Sequence, residues 1–291
     1  MTAGPAMTRG MIGLVLTAGA PPVGVEPFFL ELVSGLEEVL APAGGTVLLL
    51  VVRDLDAELA TYARWAGEGA VDAVVVVNLV HDDVRPGRLA QLGLPAVLAG
   101  RYAGPAALSS VVSDNAGAIG AAMDLFRGLG HRRIGRVTGP AELLHTAERS
   151  AAMLACGQRL GLDVRIAEAD YSAEAGVRAA RRLLAEPGPP TALIFDNDVM
   201  AVAAEEDLVR SGVAVPARVS LLACDDSALC ELAVPPMSAL SIDVHEHGVT
   251  LGRAVLDGLR GDRPRVYPGP PIRIRRRGST GAAPAGPVHG R

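Results

Sequence analysis

The chain has 291 residues, 49% of them hydrophobic, and a mean hydropathy of +0.31, which suffices for two lobes with well-buried cores. Its 27 basic residues are all arginine and face 32 acidic ones, so a net charge of −5 argues against a nucleic-acid-binding surface on the chain as a whole. Cys156, Cys224 and Cys230 lack metal-like or paired spacing, and no apolar run approaches the roughly 20 residues that span a bilayer. Reduced core cysteines in a cytoplasmic protein, with no cofactor and no membrane partner, are the expectation.

In chain order, the first buried strand is expected over 12–16. A Gly- and Pro-rich stretch follows, and Pro27 then opens a helix, where its missing N–H does no harm. Phe29, Leu32, Val33, Leu36, Val39 and Leu40 recur at helical spacing and form the stripe that packs on the sheet. Phe28 lies beside that stripe near the mouth of the first strand, where a ring can stack on the apolar face of a sugar or base. Core packing is the alternative for both Phe28 and Phe29. Arg9 followed by MIGLVLTAGA also has the outline of a secretory signal, but Gly13 interrupts its short apolar part.

Strands are expected over 46–52, 71–77 and 95–99, the last closing the first lobe, with helices over 56–66 and around Leu89. Continuous Val/Leu runs, rather than alternating ones, indicate parallel strands covered on both faces. Val111-Val112-Ser113-Asp114-Asn115 follows a Gly/Pro/Ala-rich linker, and Asn115 or Asp114 caps a helix that Gly130 ends. A strand over 134–138 leads through a loop, 139–145, to a helix opening on Thr146-Ala147-Glu148-Arg149. The guanidinium of Arg149 offers a rigid fork of donors for adjacent hydroxyls or a carboxylate, and a cation so near a helix start calls for an anionic neighbour. His131 has no nucleophile spaced to work with it and is assigned a structural role. No nucleophile–base pair, metal cluster or phosphate loop suggests an enzyme.

A strand over 164–168 and a helix over 174–184 precede the most informative stretch, 191–226. There the apolar run 192–195 stops at Asp196-Asn197-Asp198; a helix carries Val199, Val202, Ala203, Leu208 and Val209; and a second run, 219–223, ends near Asp225-Asp226. Strand–helix–strand implies parallel strands with a right-handed crossover, so Asn197 and Asp225 arrive side by side at the edge where ligands bind in open α/β sheets. An amide beside a carboxylate suits an uncharged polyol. Helix capping is the alternative, and it is the reading assigned to Asp198. A helix over 248–259 and a strand over 272–275 complete the chain, with Arg273, Arg275, Arg276 and Arg277 read as a solvated strand edge.

The ordered set of motifs resembles the lactose-repressor/galactose-repressor (LacI/GalR) family of transcription regulators. The matching runs are Pro27-Phe28-Phe29, Val71-Asp72-Ala73-Val74-Val75, Val111 to Asn115, Gly130-His131-Arg132-Arg133-Ile134, Thr146 to Arg149, Asn197-Asp198, Asp225-Asp226 and Val234-Pro235-Pro236, the last where the chain is expected to return to the first lobe. Departures are Glu26 for the family's asparagine, Ala223-Cys224 before the paired carboxylates, and Gly100-Arg101 where an Asp-Arg pair is common. Gly100 removes a carboxylate that Glu26 or Asp196 could replace.

The resemblance implies a periplasmic-binding-protein-like type I α/β fold: two Rossmann-like lobes with parallel sheets, joined by three crossings, with the effector between them. The expected lobes are 11–113 plus 244–271, and 114–240 plus 272–280, with 1–10 and 281–291 disordered. The implied function is sensing of a sugar or similar polar metabolite, acting through ligand-dependent lobe movement in a homodimer. Candidate ligand-binding residues are Phe28, Phe29, His145, Arg149, Asp196, Asn197 and Asp225. The family's helix-turn-helix has no counterpart ahead of the first strand, so DNA is a partner only through a segment upstream of this chain. A periplasmic sugar-binding protein of an ABC transporter is the alternative.

Overall fold

The structure is a computed structural model that describes residues 7–17, 26–104 and 107–284. It divides into two compact units, Met1–Ser113 with Asp243–Pro271, and Asp114–Ile242 with Ile272–Arg291. Each unit is built on a six-stranded sheet flanked by helices.

In the first unit the strands are β1 (Met11–Thr17), β2 (Thr46–Val52), β3 (Ala73–Val76), β4 (Ala96–Ala99), β5 (Ser109–Val112) and β11 (Val266–Pro268). They lie in the order β11-β5-β4-β3-β1-β2, all parallel. Its helices are α1 (Pro27–Leu40), α2 (Leu55–Glu68), α3 (Arg85–Leu92) and α9 (Val244–Leu259). Leu32, Leu36 and Leu40 of α1 and Leu251 and Val255 of α9 cover one face, over Ile12, Leu14, Val75 and Val97. The two helices touch backbone to backbone: a Cβ on Gly35 would collide with the His245 carbonyl, and one on Gly248 with the Leu32 carbonyl. Trp65 of α2 covers the other face, its ring filling the space over Gly13.

The second unit holds β6 (Arg133–Thr138), β7 (Asp163–Glu168), β8 (Ala192–Phe195), β9 (Ser220–Cys224), β10 (Ser238–Ser241) and β12 (Arg273–Arg275). The order is β12-β10-β9-β8-β6-β7, parallel except for β12, which runs antiparallel to β10. Its helices are α4 (Asn115–Gly128), α5 (Leu144–Leu160), α6 (Ala173–Ala185), α7 (Asp198–Arg210) and α8 (Ala228–Leu232).

Several expectations need correcting. The strand over 95–99 is not the last of its sheet: β5 and β11 follow, β5 opening on two serines and β11 ending on a proline, so that neither reads as an unbroken apolar run. The return to the first unit, expected just after residue 240, falls after Ile242, so that β10 lies wholly in the second sheet. β2 is half-exposed along most of its length, since an edge strand lacks the neighbours that bury central ones. Residues 7–10 are ordered, with the amides of Thr8, Arg9 and Gly10 donating to the Asp72 carboxylate. Residues 281–284 are ordered too: Gly281 N–H donates to Ser220 Oγ at 3.0 Å and Ala283 N–H to the Leu129 carbonyl at 2.8 Å. The rest of both expected disordered tails, 1–6 and 285–291, lies outside the described residues.

His131 is a fully buried fastener. Its Nε2 lies 3.1 Å from the Gly281 carbonyl, and its Nδ1 lies 2.9 Å from Thr191 Oγ1. A carbonyl can only accept, so Nε2 carries the proton and Nδ1 accepts from the threonine. Among the described residues no helix is long and apolar enough to cross a membrane.

Candidate functional site

β6, β8 and β9 are adjacent and parallel, so the residues that follow them emerge together at one edge of the second sheet. Those residues are Gly139, Asp196 with Asn197, and Asp225. Asp225 sits in the left-handed region, with φ of 66°, a conformation in which aspartate is among the few tolerated side chains. α5 brings His145, Thr146 and Arg149 to the same edge, and Tyr171 follows β7.

Asp196 is the hub. Its carboxylate accepts from Arg136 Nε at 2.8 Å and Nη2 at 2.7 Å, and from the Gly139 amide at 3.1 Å. Arg149 Nη1 stands 3.8 Å from the same carboxylate and 3.3 Å from the Asp196 carbonyl. Burial alone would raise the Asp196 pKa, but the charges of Arg136 and Arg149 and the hydrogen bonds from Arg136 and Gly139 outweigh it and hold the group below the usual carboxylate range. Arg136 is itself fully buried in mid-strand; it also donates to Ser150 Oγ at 2.8 Å and the Thr146 carbonyl at 3.4 Å, tying α5 to the sheet edge.

Arg149 is anchored from two sides. Its Nε donates to Asn115 Oδ1 at 2.9 Å, and Asn115 Nδ2 in turn donates to Glu148 at 3.1 Å. Burial opposes the guanidinium charge, while Cys224, Asp196, Tyr171 and Asp225 favour it, and the pKa is raised. Burial lifts the Cys224 thiol to about 12, so at neutral pH the charges that balance Arg149 are those of Asp196 and Asp225. The anionic neighbour expected for Arg149 is present, but the helix start is not its cause. α5 begins at Leu144 and places Arg149 in the second turn, beyond the reach of the helix dipole.

His145 lies 2.7 Å from the Tyr171 hydroxyl, and burial together with the Arg149 charge pushes its pKa down to about 3, so it is neutral near pH 7. Asn197, not Asp198, caps α7: its Oδ1 accepts from Met200 N–H at 2.9 Å and its Nδ2 donates to the Tyr171 carbonyl at 3.1 Å. Asp198 instead accepts from the Ser227 amide at 2.8 Å, where α8 starts. The buried face of α7 includes Met200, Ala201, Ala204, Glu205 and Leu208; of the stripe expected from the sequence, Leu208 is buried, Val199, Val202 and Ala203 are half-buried and Val209 is exposed.

Five of the seven sequence candidates, His145, Arg149, Asp196, Asn197 and Asp225, thus share one strand edge. Phe28 and Phe29 belong to the first unit, on the first turn of α1, with ring centroids 5.3 Å apart edge to face. Phe29 is buried in that unit's core and Phe28 is half-buried against it. Arg136, Asn115 and Tyr171 were not among the candidates. The available signal was the charge of Arg136 inside the apolar run of β6. Among the described residues no group of His, Cys, Asp or Glu could hold a metal ion.

A family model described as a periplasmic binding protein-like domain matches residues 123–280. The chain is 30% identical to the HTH-type transcriptional regulator CelR of Thermobifida fusca over 86% of its own length and 75% of that protein's. It is likewise 30% identical to the regulator AglR of Rhizobium meliloti (strain 1021), over 87% of its length and 73% of the relative's. Among solved structures, a LacI family transcriptional regulator from Bifidobacterium animalis subsp. lactis DSM 10140 superposes with a TM-score of 0.85 at 32% identity, covering 94% of this chain and 99% of that one. The CelR–cellobiose complex gives a TM-score of 0.85 at 28% identity, covering 94% and 86%. Two mostly parallel six-stranded sheets, the strand-edge cluster and these relatives agree: the chain belongs to the LacI/GalR family of transcriptional regulators and forms its effector-sensing domain.

Proposed function

We propose that the effector is an uncharged sugar or similar polyol, bound at the strand edge of the second unit through Arg149 and Asp225, with His145 and Tyr171 beside them and Asn197 holding the Tyr171 backbone in place. The observation that carries this reading is the charge balance around Arg149, whose guanidinium is offset by Asp196 and Asp225. A balanced cluster of donors and acceptors pairs with hydroxyls without leaving a net charge to be neutralised by the ligand. The neutral imidazole of His145 adds no charge to that balance. The related CelR, solved with cellobiose, supports a saccharide.

Binding would act by ligand-dependent lobe movement, in a cytoplasmic homodimer whose output is transcription. A ligand shifts such an equilibrium only by its differential affinity for the two states, typically about 1–3 kcal/mol of coupling. A thermal-shift screen of neutral mono- and disaccharides on the wild type and Arg149→Ala tests the reading. At least one sugar should raise the melting temperature of the wild type and not of the variant; equal shifts in both would remove Arg149 from the site.

A further inference from the structure

We propose that Asp196 sets the ligand class of this site from behind it: with Asp225 it balances the charges of Arg136 and Arg149, and so keeps the site selective for uncharged effectors and closed to anions. The proposal takes the location of the site from the reading above and assigns Asp196 a specificity role in place of direct contact.

The side chain of Asp196 has no solvent exposure, and both oxygens are already engaged. Arg136 has none either, so it cannot reach a ligand and acts through Asp196 and α5 as a positioning residue. Arg149 alone of the three shows a face to solvent, with 16% of its side chain exposed. Any anion approaching that face meets a guanidinium whose charge is already compensated.

The donors that Asp196 occupies are the set an external carboxylate, sulfate or phosphoryl group would take: a planar fork on Arg136, the Arg149 guanidinium and the Gly139 amide. In a buried setting, where charges interact far more strongly than in water, two guanidiniums without Asp196 would form an anion site. The carboxylate therefore acts as a resident anion, fixed to the strand end and not exchangeable.

The test uses sodium sulfate, titrated into the full chain against sodium chloride at constant ionic strength and read by calorimetry and thermal shift. The wild type should show no saturable sulfate binding. Asp196→Asn should gain at least about tenfold in sulfate affinity, and adding Arg149→Ala should abolish the gain. A folded Asp196→Asn protein without that gain, or a wild type that binds sulfate saturably through Arg149, overturns the proposal.

Because Asp196→Asn leaves Arg136 buried and unpaired, a second variant, Arg136→Met with Asp196→Leu, replaces the pair with apolar volume. It removes one positive and one negative charge together and leaves Arg149 facing Asp225, so it should stay as indifferent to sulfate as the wild type; saturable sulfate binding there would assign any gain to something other than uncompensated charge and overturn the proposal. Sulfate requires no knowledge of the natural effector. Failure of this experiment is therefore separable from failure of the sugar screen.

Discussion

Arg136 and Asp196 meet fork to fork, at 2.8 and 2.7 Å, with both side chains wholly removed from solvent. A pair of this kind is costly to break and of small net worth when replaced whole. Arg136→Ala should lower stability by about 3–5 kcal/mol, because it strands a buried carboxylate, whereas Arg136→Met with Asp196→Leu should come close to the wild type. Urea unfolding of both variants checks this, and comparable losses in the two would show that packing, not charge, sets the cost. The depressed pKa of Asp196 gives the pH dependence its sign: its contribution is present above the ordinary carboxylate range and is lost only as pH falls through and below it.

Glu205 on α7 presents the opposite case. It is 1% exposed, neither carboxylate oxygen has a hydrogen-bond partner among the described residues, and burial raises its pKa from 4.5 to about 7. A group that holds its proton more tightly when folded costs nothing below its unfolded pKa and destabilises progressively as pH rises toward and through its folded one. Glu205→Leu should therefore leave stability nearly unchanged at acidic pH and raise it by up to about 3 kcal/mol in mildly alkaline solution. Melting curves across that range decide; a gain independent of pH would assign the effect to packing alone.

His247 on the first turn of α9 is also buried, its Nδ1 has no partner among the described residues, and burial lowers its pKa from 6.5 to about 4. Here the folded state binds fewer protons than the unfolded one between those two values, so stability should fall as pH drops from 6.5 toward 4. His247→Met removes the titrating group while filling similar space. Its advantage over the wild type should grow on acidification, measurable by denaturant unfolding at neutral pH and again near the folded pKa. A constant difference would mean that the imidazole does not titrate in this window.

The α1–α9 contact depends on absent side chains. A methyl on Gly248 would strike the Leu32 carbonyl and the Gly35 backbone, whereas nothing among the described residues lies within 4 Å of a Cβ built on Gly120 of α4. Gly248→Ala should cost about 2 kcal/mol by overpacking, and Gly120→Ala should stabilise by about 0.5–1 kcal/mol by restricting the unfolded chain. Thermal unfolding of the two alanine variants checks both signs. Stabilisation by both would show that the helices can separate without penalty.

Much of the scaffold was legible because its signals are periodic. Central strands such as β3 and β8 read as unbroken apolar runs, and the ends of β8 and β9 could be placed on one edge from the crossover rule. That rule is what brought Asn197 and Asp225 to one place, and α5 adds Arg149 there. Some short elements were not legible: half of β5 is serine, β11 is a three-residue edge strand, and α8 spans too few residues for a helical period to show. Partnerships were hidden for a different reason. That Arg136 answers Asp196, sixty positions on, is a tertiary fact with no local trace. The stripe on α7 was partly misplaced because Glu205, a charge, occupies its buried face.

The fastening at Gly281 has a practical corollary for anyone trimming this protein. A version ended at Thr280 would delete the carbonyl that receives the His131 proton and the amide held by Ser220. It would also delete the amide that closes on Leu129. Affinity tags and fusion partners therefore belong beyond Pro284, where the joint leaves all three of those bonds in place.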